Sequence, residues 1–349
     1  MDFRLARLTQ WAEQVLHAPV MVTPVSGDAS FRRYFRLARH DAPALIAMDA
    51  PPDKEDCRPF VALARHWHAQ GIHVPALIAK DLSQGFLILD DFGDDLYLPR
   101  LQQAAPDDVL TLYRHALTML LRIQTCDEPP DYSLPVYDEA LLWREMELFR
   151  DWLTGQKLAL TLTAQEHELL NETWQFLIHH ALAQPSVTVH RDYHSRNLMI
   201  TPDTLPGVLD FQDAVCGPLT YDLVSLLRDC YITWPDELVN TLLEEFWQAT
   251  ADKNLHTASL TEFTRWFDLM GIQRHLKAAG IFARLSIRDG KHGYLADIPS
   301  TVNYIVRISQ RYPELAAFSQ WLSTRFLPAL SQLGESHSNE SSTTSTATV

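Results

Sequence analysis

The spacing of hydrophobic positions follows two periods along the chain, one typical of helices and one typical of strands. Residues 3–16 carry apolar side chains three and four positions apart, which predicts an amphipathic helix. Alternating or β-branched runs bounded by turn residues then predict strands at 20–25, 31–37, 44–48, 76–79 and 86–89, with a helix at 53–70. This order predicts an antiparallel five-stranded sheet with helices.

Helical spacing dominates the chain after residue 106. The predicted helices are 107–124, 138–153, 163–183, 219–231, 235–250, 259–281, 299–311 and 313–331. A polar loop between short apolar strands interrupts this series at residues 187–212. Residues 334–349 contain almost no apolar side chains and predict a disordered tail. The fold class is therefore predicted as α+β, with a sheet lobe at residues 1–92 and a mostly helical lobe at residues 93–333.

The polar loop within residues 187–212 contains the candidate chemistry. Asp192 and Asn197 lie on a loop that strands hold at both ends, with the spacing of the kinase pattern H-R-D-x-x-x-x-N. Asp210 follows the next hairpin, where kinases carry a metal-binding aspartate. In phosphoryl transfer, one carboxylate orients the acceptor hydroxyl, while an amide oxygen and a second carboxylate hold Mg²⁺ beside ATP. The alternative is a polar hairpin without a catalytic role.

Composition narrows the class of partner. A net charge of -15 argues against a nucleic-acid partner, for which a basic surface is expected. The four cysteines, at 57, 126, 216 and 230, show no paired short spacing, which is typical of a reduced protein. No run of eighteen uncharged apolar residues is present in the sequence, so no membrane span is predicted. We therefore expect a cytoplasmic monomer without nucleic-acid or membrane partners.

The turn at residues 26–30 lies between the first two predicted strands, where kinase-like folds place a loop over the phosphates. It contains one glycine, which falls short of G-x-G-x-x-G and equally suits a plain hairpin turn. Backbone N–H groups and arginines here are candidate phosphate contacts, and the connector after the fifth strand is a candidate adenine contact. The candidate nucleotide-binding residues are Gly27, Asp28, Ser30, Arg32, Arg33, Leu89, Asp90, Asp91 and Phe92. For the arginines, the alternative is a solvated strand face.

Two features of the sequence depart from the kinase pattern. The letters D-F-G at residues 91–93 spell the kinase metal motif, but they precede the loop, so Asp210 keeps the metal role and Asp91 is a linker residue. The third strand lacks the lysine that pairs with the α and β phosphates, because residues 47–49 carry no basic side chain. Either a nearby basic residue replaces this lysine or ATP is held differently. The basic candidates are Arg32, Arg33, Arg36 and Lys54.

These motifs together resemble the aminoglycoside phosphotransferase and choline kinase group of small-molecule kinases. Within that group, the chain is similar to the bacterial anomeric kinases that phosphorylate N-acetylmuramate and N-acetylglucosamine at C1 in cell-wall recycling. The segments that carry the resemblance are 26–36, 48–52, 190–199, 209–214, 273–285 and 288–291. The resemblance implies a protein-kinase-like fold with a nucleotide-covering first lobe and the cofactors ATP and Mg²⁺. It also implies that Asp192 is the catalytic base, that Asn197 and Asp210 are metal ligands, and that His190 and Asp222 have structural roles.

A sugar substrate is expected between Asp192 and the helices of the second lobe. An aromatic face suits the C–H surface of a sugar, and a basic side chain suits the lactyl carboxylate of muramate. The candidate substrate residues are Trp143, Arg144, Glu145, Asp213, Arg228, Arg274 and Lys277. For most of them the alternative is helix packing or a surface ion pair, and for Asp213 it is a turn role or a second metal.

Three other functions fit parts of the pattern. A kinase of the same fold could use an aminoglycoside, choline or homoserine as its acceptor. A nucleotide-binding regulator without transfer activity would account for the missing lysine, although the complete set of Asp192, Asn197 and Asp210 argues against it. A structural or adaptor protein of the same shape would leave that set unexplained.

Overall fold

A computed structural model describes residues 2–25 and 31–332 of the chain. The chain forms two compact units, each built from two stretches of sequence. The first comprises the residues up to Pro135 together with Thr188–Val215, and the second comprises Val136–Val187 together with the residues from Cys216 onward. The sequence predicts a different division, at residue 92, between a sheet lobe and a helical lobe. That division stays a prediction.

The first unit contains the predicted antiparallel sheet. Its strands are β1 (Met21–Pro24), β2 (Arg33–Arg39), β3 (Ala42–Asp49), β4 (Leu77–Asp81) and β5 (Phe86–Asp90). They lie in the order β1-β2-β3-β5-β4, and every neighbouring pair is antiparallel. The accompanying helices are α1 (Phe3–Leu16), α2 (Arg58–Ala69), α3 (Tyr97–Gln103) and α4 (Pro106–Gln124).

Helix α1 covers one face of this sheet. Its first turn is capped by the Asp2 carboxylate, which accepts a hydrogen bond from the Leu5 N–H group. Leu8 and Ala12 of α1 pack on side chains that alternate along the strands, because successive residues of a strand point to opposite faces. The strand residues of this core are Phe35, Leu37, Leu45, Ala47, Phe86 and Ile88.

Helix α2 connects the other side of the sheet to the polar loop. The predicted helix began at residue 53, but α2 begins at Arg58 because the N–H groups of Lys54 and Glu55 donate to the Pro51 carbonyl in a turn. The α2 rings of Phe60 and Trp67 contact Phe211, with centroid distances of 4.7 and 5.6 Å. This aromatic cluster anchors the segment that follows Asp210.

Short strands frame the polar loop. They are β6 (Ser186–Val189), β7 (Leu198–Met199), β8 (Gly207–Val208) and β9 (Val215–Pro218), and β6 pairs with β9 while β7 pairs with β8. The boundaries of the two units fall within β6 and β9. The sequence predicted the first three of these strands, but it placed no strand at 215–218.

The second unit is helical and is organised around one long helix. Its helices are α5 (Glu139–Leu148), α6 (Ala164–Leu182), α7 (Tyr221–Leu227), α8 (Asp236–Asp252), α9 (Leu260–Arg288), α10 (Ile298–Ser309) and α11 (Ala316–Trp321). Segments Phe149–Lys157 and Leu322–Phe326 are π-helical, and His292–Asp297 and Pro313–Leu315 are 3₁₀-helical. Helix α9 packs against α5, α6, α7 and α10, and 19 of its 29 residues are buried, so its apolar spacing is less regular than that of a surface helix. None of the helices within residues 2–25 and 31–332 combines the length and apolar content needed to cross a membrane.

The close packing of α9 on the end of α5 yields a stability prediction. A Cβ atom added at Gly280 would lie 2.3 Å from the Leu148 carbonyl carbon, and backbone cannot give way cheaply. We expect Gly280→Ala to lower the free energy of unfolding by about 1–3 kcal/mol, measured by urea denaturation. Gly293→Ala is the matched control, because its added Cβ meets no atom within 4 Å. Equal stabilities for the two variants would contradict this description of the packing.

Candidate active site

His190 opens the polar loop and organises it from the inside. Its ring is fully buried, its Nε2 donates to the Leu209 carbonyl over 2.9 Å, and its Nδ1 accepts from the Asp192 N–H group over 3.2 Å. Burial lowers the pKa of His190 to about 4, so the neutral imidazole can donate at one nitrogen and accept at the other. The burial and hydrogen bonds expected of a structural residue are present.

Asn197 closes the same loop from its other end. Its Nδ2 donates to the Asp192 carbonyl over 3.0 Å, and the His194 N–H group donates to that carbonyl over 3.1 Å. The Leu209 N–H group donates to the Asn197 carbonyl over 2.9 Å. Because the amide nitrogen of Asn197 points into the loop, its oxygen Oδ1 remains as a potential metal ligand.

Asp210 has an unusual backbone conformation. Its φ angle is 62°, in the left-handed region that residues with a Cβ rarely adopt, and Arg191 has a φ angle of 76°. The Asp210 carboxylate accepts a hydrogen bond from Gln212 Nε2 over 2.8 Å, and the same nitrogen donates to Asp213 over 3.1 Å. Arg32 Nη2 lies 3.7 Å from Asp210 Oδ1. Strained residues of this kind concentrate at functional sites.

A cavity of ≈ 700 Å³ in the first unit brings these candidates together. Asn197 and Asp210, the predicted metal ligands, line it together with Leu89, Asp90, Asp91 and Phe92, the predicted adenine contacts. Its remaining walls include Tyr34, Ile46, Phe60, Met199 and Phe211. A cavity of this size, lined by both apolar and polar side chains, suits a nucleotide.

The D-F-G segment at 91–93 directly follows β5, and an arginine of β2 holds its aspartate. Arg36 Nε donates to the Asp91 carboxylate over 2.5 Å, and the Arg36 guanidinium also bonds Asp94 over 2.8 Å. These carboxylates raise the pKa of Arg36 above its ordinary value, Asp94 contributing most. The Gly93 N–H group donates to Asp91, and Gly93 has a φ angle of 83°. Asp91 is thus held by Arg36.

The other nucleotide-binding candidates have different surroundings. Arg33 pairs with Asp2 and with the buried Asp49. The Lys54 ammonium lies 5.9 Å from the centre of the Phe31 ring. Gly27, Asp28 and Ser30 lie outside the described residues, so the phosphate-loop prediction for them stays open.

Two substrate candidates of the second unit form a buried ion pair. Lys277 Nζ lies 3.0 Å from Glu145 Oε1 and donates to the Tyr221 hydroxyl over 2.9 Å. The Tyr137 hydroxyl and the Gln273 amide also donate to Glu145. Such a network neutralises both charges and suits a scaffold role.

The remaining substrate candidates have different surroundings. Arg274 is buried beside the Cys230 sulfur, 3.6 Å away, whereas Trp143 is half-buried and Arg144 is exposed. Asp213, in the first unit, is exposed and accepts from Gln212. Glu145 and Lys277 are thus the candidates that a direct ion pair brings together.

Arg228 lines a second cavity, of ≈ 400 Å³, within the second unit. Its Nη2 donates to Asp236 over 2.5 Å, while its buried Nε has no hydrogen-bond partner among the described residues. Trp234, Tyr304 and Arg307 line the same cavity. Burial opposes ionisation of Asp236, but hydrogen bonds from Arg307 and Arg228 lower its pKa to about 2. Sequence reasoning missed Trp234, Tyr304 and Arg307. The signal for this cavity in the sequence was the polar and aromatic run at 228–235 between two predicted helices.

A family model described as the phosphotransferase enzyme family matches residues 21–263. The chain belongs to this family. Three curated relatives, each named N-acetylmuramate/N-acetylglucosamine kinase, are similar over most of their length. The Pseudomonas putida protein is 44% identical over 92% of this chain and 96% of the relative, and the Pseudomonas aeruginosa protein is 43% identical over 93% and 97%. The Neisseria meningitidis protein is 40% identical over 90% and 93%.

Solved structures of phosphotransferase family members and related kinases share the fold. The ADP-bound aminoglycoside phosphotransferase APH(2'')-Ib superposes with a TM-score of 0.60 at 14% identity, over 88% of this chain and 99% of that one. Choline kinase LicA from Streptococcus pneumoniae gives a TM-score of 0.60 at 11% identity, over 90% and 99%. The predicted protein-kinase-like α+β fold and the predicted family are confirmed.

The buried His190 of this phosphotransferase yields a prediction on pH. Between pH 6.5 and pH 4 the unfolded chain binds a proton that the folded His190 excludes, so stability falls as the pH falls. We expect His190→Gln to be less stable than the parent at pH 7, yet to lose about 3 kcal/mol less between pH 7 and pH 4. Urea denaturation at each pH measures the difference.

The control is His40→Gln, whose side chain is 93% exposed in the parent protein. Its stability should follow that of the parent at each pH. If the unfolding free energy of His190→Gln changed with pH in parallel with that of the parent, the claim that His190 is neutral in the folded protein would be wrong.

Proposed function

We propose that this phosphotransferase is a cytoplasmic, monomeric amino sugar kinase. It would transfer the γ-phosphoryl group of ATP to the C1 hydroxyl of N-acetylmuramate, N-acetylglucosamine or both, in peptidoglycan recycling. One observation supports the transfer chemistry above others: Asn197 and Asp210 line the same cavity as residues 89–92. The proposed choice of sugar substrate rests on the names of relatives that are 40–44% identical over at least 90% of the chain.

Asp192 is the proposed catalytic base. Its peptide unit is held on both sides, because its N–H group donates to His190 and its carbonyl accepts from Asn197 and His194. A fixed backbone restricts where the carboxylate can point. The carboxylate would accept a hydrogen bond from the C1 hydroxyl, align its oxygen with the γ-phosphorus and take the proton as the bond to phosphorus forms.

Asn197 and Asp210 are the proposed magnesium ligands, and their chemistry suits that ion. Mg²⁺ prefers oxygen ligands and is usually bound by one or two protein groups together with water and substrate phosphates. The amide oxygen of Asn197 and the carboxylate of Asp210 would form such a pair, which phosphate oxygens would complete. When bound, the ion would neutralise charge on the phosphate oxygens. Gln212 restrains the Asp210 carboxylate for this role.

The proposed nucleotide site is the ≈ 700 Å³ cavity. Leu89 and Phe92 offer apolar contact to an adenine, and the backbone of Asp90 and Asp91 offers hydrogen bonds. We also propose the functional division into residues 1–92, which would cover the nucleotide, and residues 93–333, which would carry the acceptor. The ADP in the structure of APH(2'')-Ib supports the choice of nucleotide.

The ≈ 400 Å³ cavity of the second unit is the proposed acceptor site. Trp234 offers an aromatic face to the C–H surface of a sugar ring, whereas the Tyr304 ring is stacked on His275 with centroids 4.0 Å apart. Arg228 and Arg307 offer guanidinium groups to the lactyl carboxylate of muramate. Of the earlier substrate candidates, Arg228 is the one that lines this cavity, and the buried pair of Glu145 with Lys277 suits a scaffold better.

The catalytic proposal predicts the behaviour of Asp192→Asn. We expect the parent protein to convert MgATP and a free amino sugar to ADP and a sugar 1-phosphate. The assay is phosphorus NMR of reactions with a panel of sugars, amino alcohols and aminoglycosides. Asp192→Asn should lower kcat by about 10²–10⁴-fold, because the amide cannot take the hydroxyl proton, and should leave ATP affinity largely intact.

Asp203→Asn, in a loop of the first unit with a side chain 78% exposed, is the matched control and should retain activity. Near-normal turnover by Asp192→Asn would remove the assignment of the base. Transfer to amino alcohols or aminoglycosides alone would overturn the assignment of an amino sugar as the acceptor. It would favour another small-molecule acceptor for the same fold.

The acceptor proposal predicts a change of selectivity in Arg307→Met. Asp236 keeps Arg228 and Arg311 as partners in this variant, so the fold should persist. The KM for N-acetylmuramate should rise about 10-fold or more, because a charged hydrogen bond to the carboxylate is lost, while the KM for N-acetylglucosamine should change little. Steady-state kinetics on both sugars, with the exposed Arg325→Met as control, measure the ratio. An unchanged ratio would count against a carboxylate site here.

A further inference from the structure

The third strand offers no cation to the nucleotide cavity. Along β3, Leu45 and Ala47 pack in the core under α1, so Ile46 and Met48 point to the opposite face, and Ile46 lines the cavity. A lysine in contact with phosphates would have to stand on this opposite face, and its place is taken by the buried Met48. By the same alternation, Asp49 points away from the cavity.

Asp49 forms ion pairs with the two arginines nearest to it on the α1 side of the sheet. Its fully buried carboxylate pairs with Arg4 of α1 and with Arg33 of β2. A buried carboxylate needs such partners, because an unpaired charge there would be costly. Arg33 shares the face of Phe35 and Leu37, so it points away from the cavity. Arg33 is therefore not suited to phosphate binding.

Arg32 has the opposite orientation. It precedes β2, and alternation along the strand groups it with Tyr34 and Arg36, which both line the cavity. Tyr34 pairs with Met48 across β2 and β3, so Arg32 is a diagonal neighbour of the position where a lysine would stand. Arg36, further along the same face, is held by Asp91 and Asp94.

The contact of Arg32 lies at the reacting end of the cavity. Its side chain is 9% exposed, and its Nη2 lies 3.7 Å from the Asp210 carboxylate. That distance is within ion-pair range, so the guanidinium lies beside the carboxylate where the phosphates and their metal ion would be held. A guanidinium also presents a fork of donors that matches phosphate oxygens.

We propose that Arg32 is the cation that pairs with the ATP phosphates, displaced by one strand from the lysine position of kinases. This inference rests on the proposed kinase function and assigns a further phosphate-binding residue within it. The phosphates would meet the guanidinium of Arg32 in place of an ammonium group from β3.

The test compares nucleotides with and without phosphates. Calorimetry in Mg²⁺ should show that Arg32→Met binds ADP about 10–100-fold more weakly than the parent and binds adenosine equally well. Arg32→Lys should recover part of the ADP affinity. The double variant Arg32→Met with Met48→Lys should also recover part of it, because the new ammonium stands at the diagonal position on the same face.

Arg39→Met is the matched control, at the far end of β2 and bonded to the Pro43 carbonyl, and it should bind both ligands as the parent does. Equal weakening of ADP and adenosine by Arg32→Met would reveal a structural role and overturn the proposal, as would unchanged ADP affinity. No acceptor is used, so a wrong sugar assignment leaves the result intact. Failure of the parent to bind ADP would overturn the kinase function and this proposal together.

Discussion

The proposed chemistry depends on how the peptide unit of Asp192 is held. Its N–H group and its carbonyl are both bonded within the loop, to His190 Nδ1 on one side and to Asn197 Nδ2 on the other. Each of these residues also ties the loop to Leu209, His190 through its side-chain Nε2 and Asn197 through its backbone carbonyl. Asp192, the proposed base, and Leu209, the residue before Asp210, therefore share one hydrogen-bond network, and a shift of either would move both.

This network requires a dry setting. A protonated His190 could not accept from Asp192, so burial, which lowers the pKa of His190 to about 4, also preserves the loop geometry. Trp67 supplies part of that burial and contacts Phe211, the neighbour of Asp210. The left-handed conformation of Asp210 costs about 1–3 kcal/mol, and the next residue, Phe211, packs on Phe60 and Trp67 of α2.

The sequence predicted features that depend on local patterns, but it did not predict features that depend on long-range contacts. Alternation predicted the five-stranded sheet, and the spacing of Asp192 and Asn197 predicted the loop, because both signals are local. The start of α2, the extension of α9 to Arg288 and the strand β9 were not predicted, since a proline turn, packing on neighbouring helical segments and a distant partner strand determine them. The pairing of Arg33 with Asp49 was also beyond reach, because it depends on which sheet face each side chain occupies.

Electrostatics gives the remaining constraint on this chain. A protein with a net charge of -15 repels ATP at long range, and salt screens that repulsion beyond about 8–10 Å. Binding must then come from cations placed within contact distance. Most arginines near the sheet already have carboxylate partners, Arg4 and Arg33 at Asp49 and Arg36 at Asp91 and Asp94. Arg32 lies beside the proposed magnesium ligand Asp210, where a bound metal ion would compete with the guanidinium for that carboxylate.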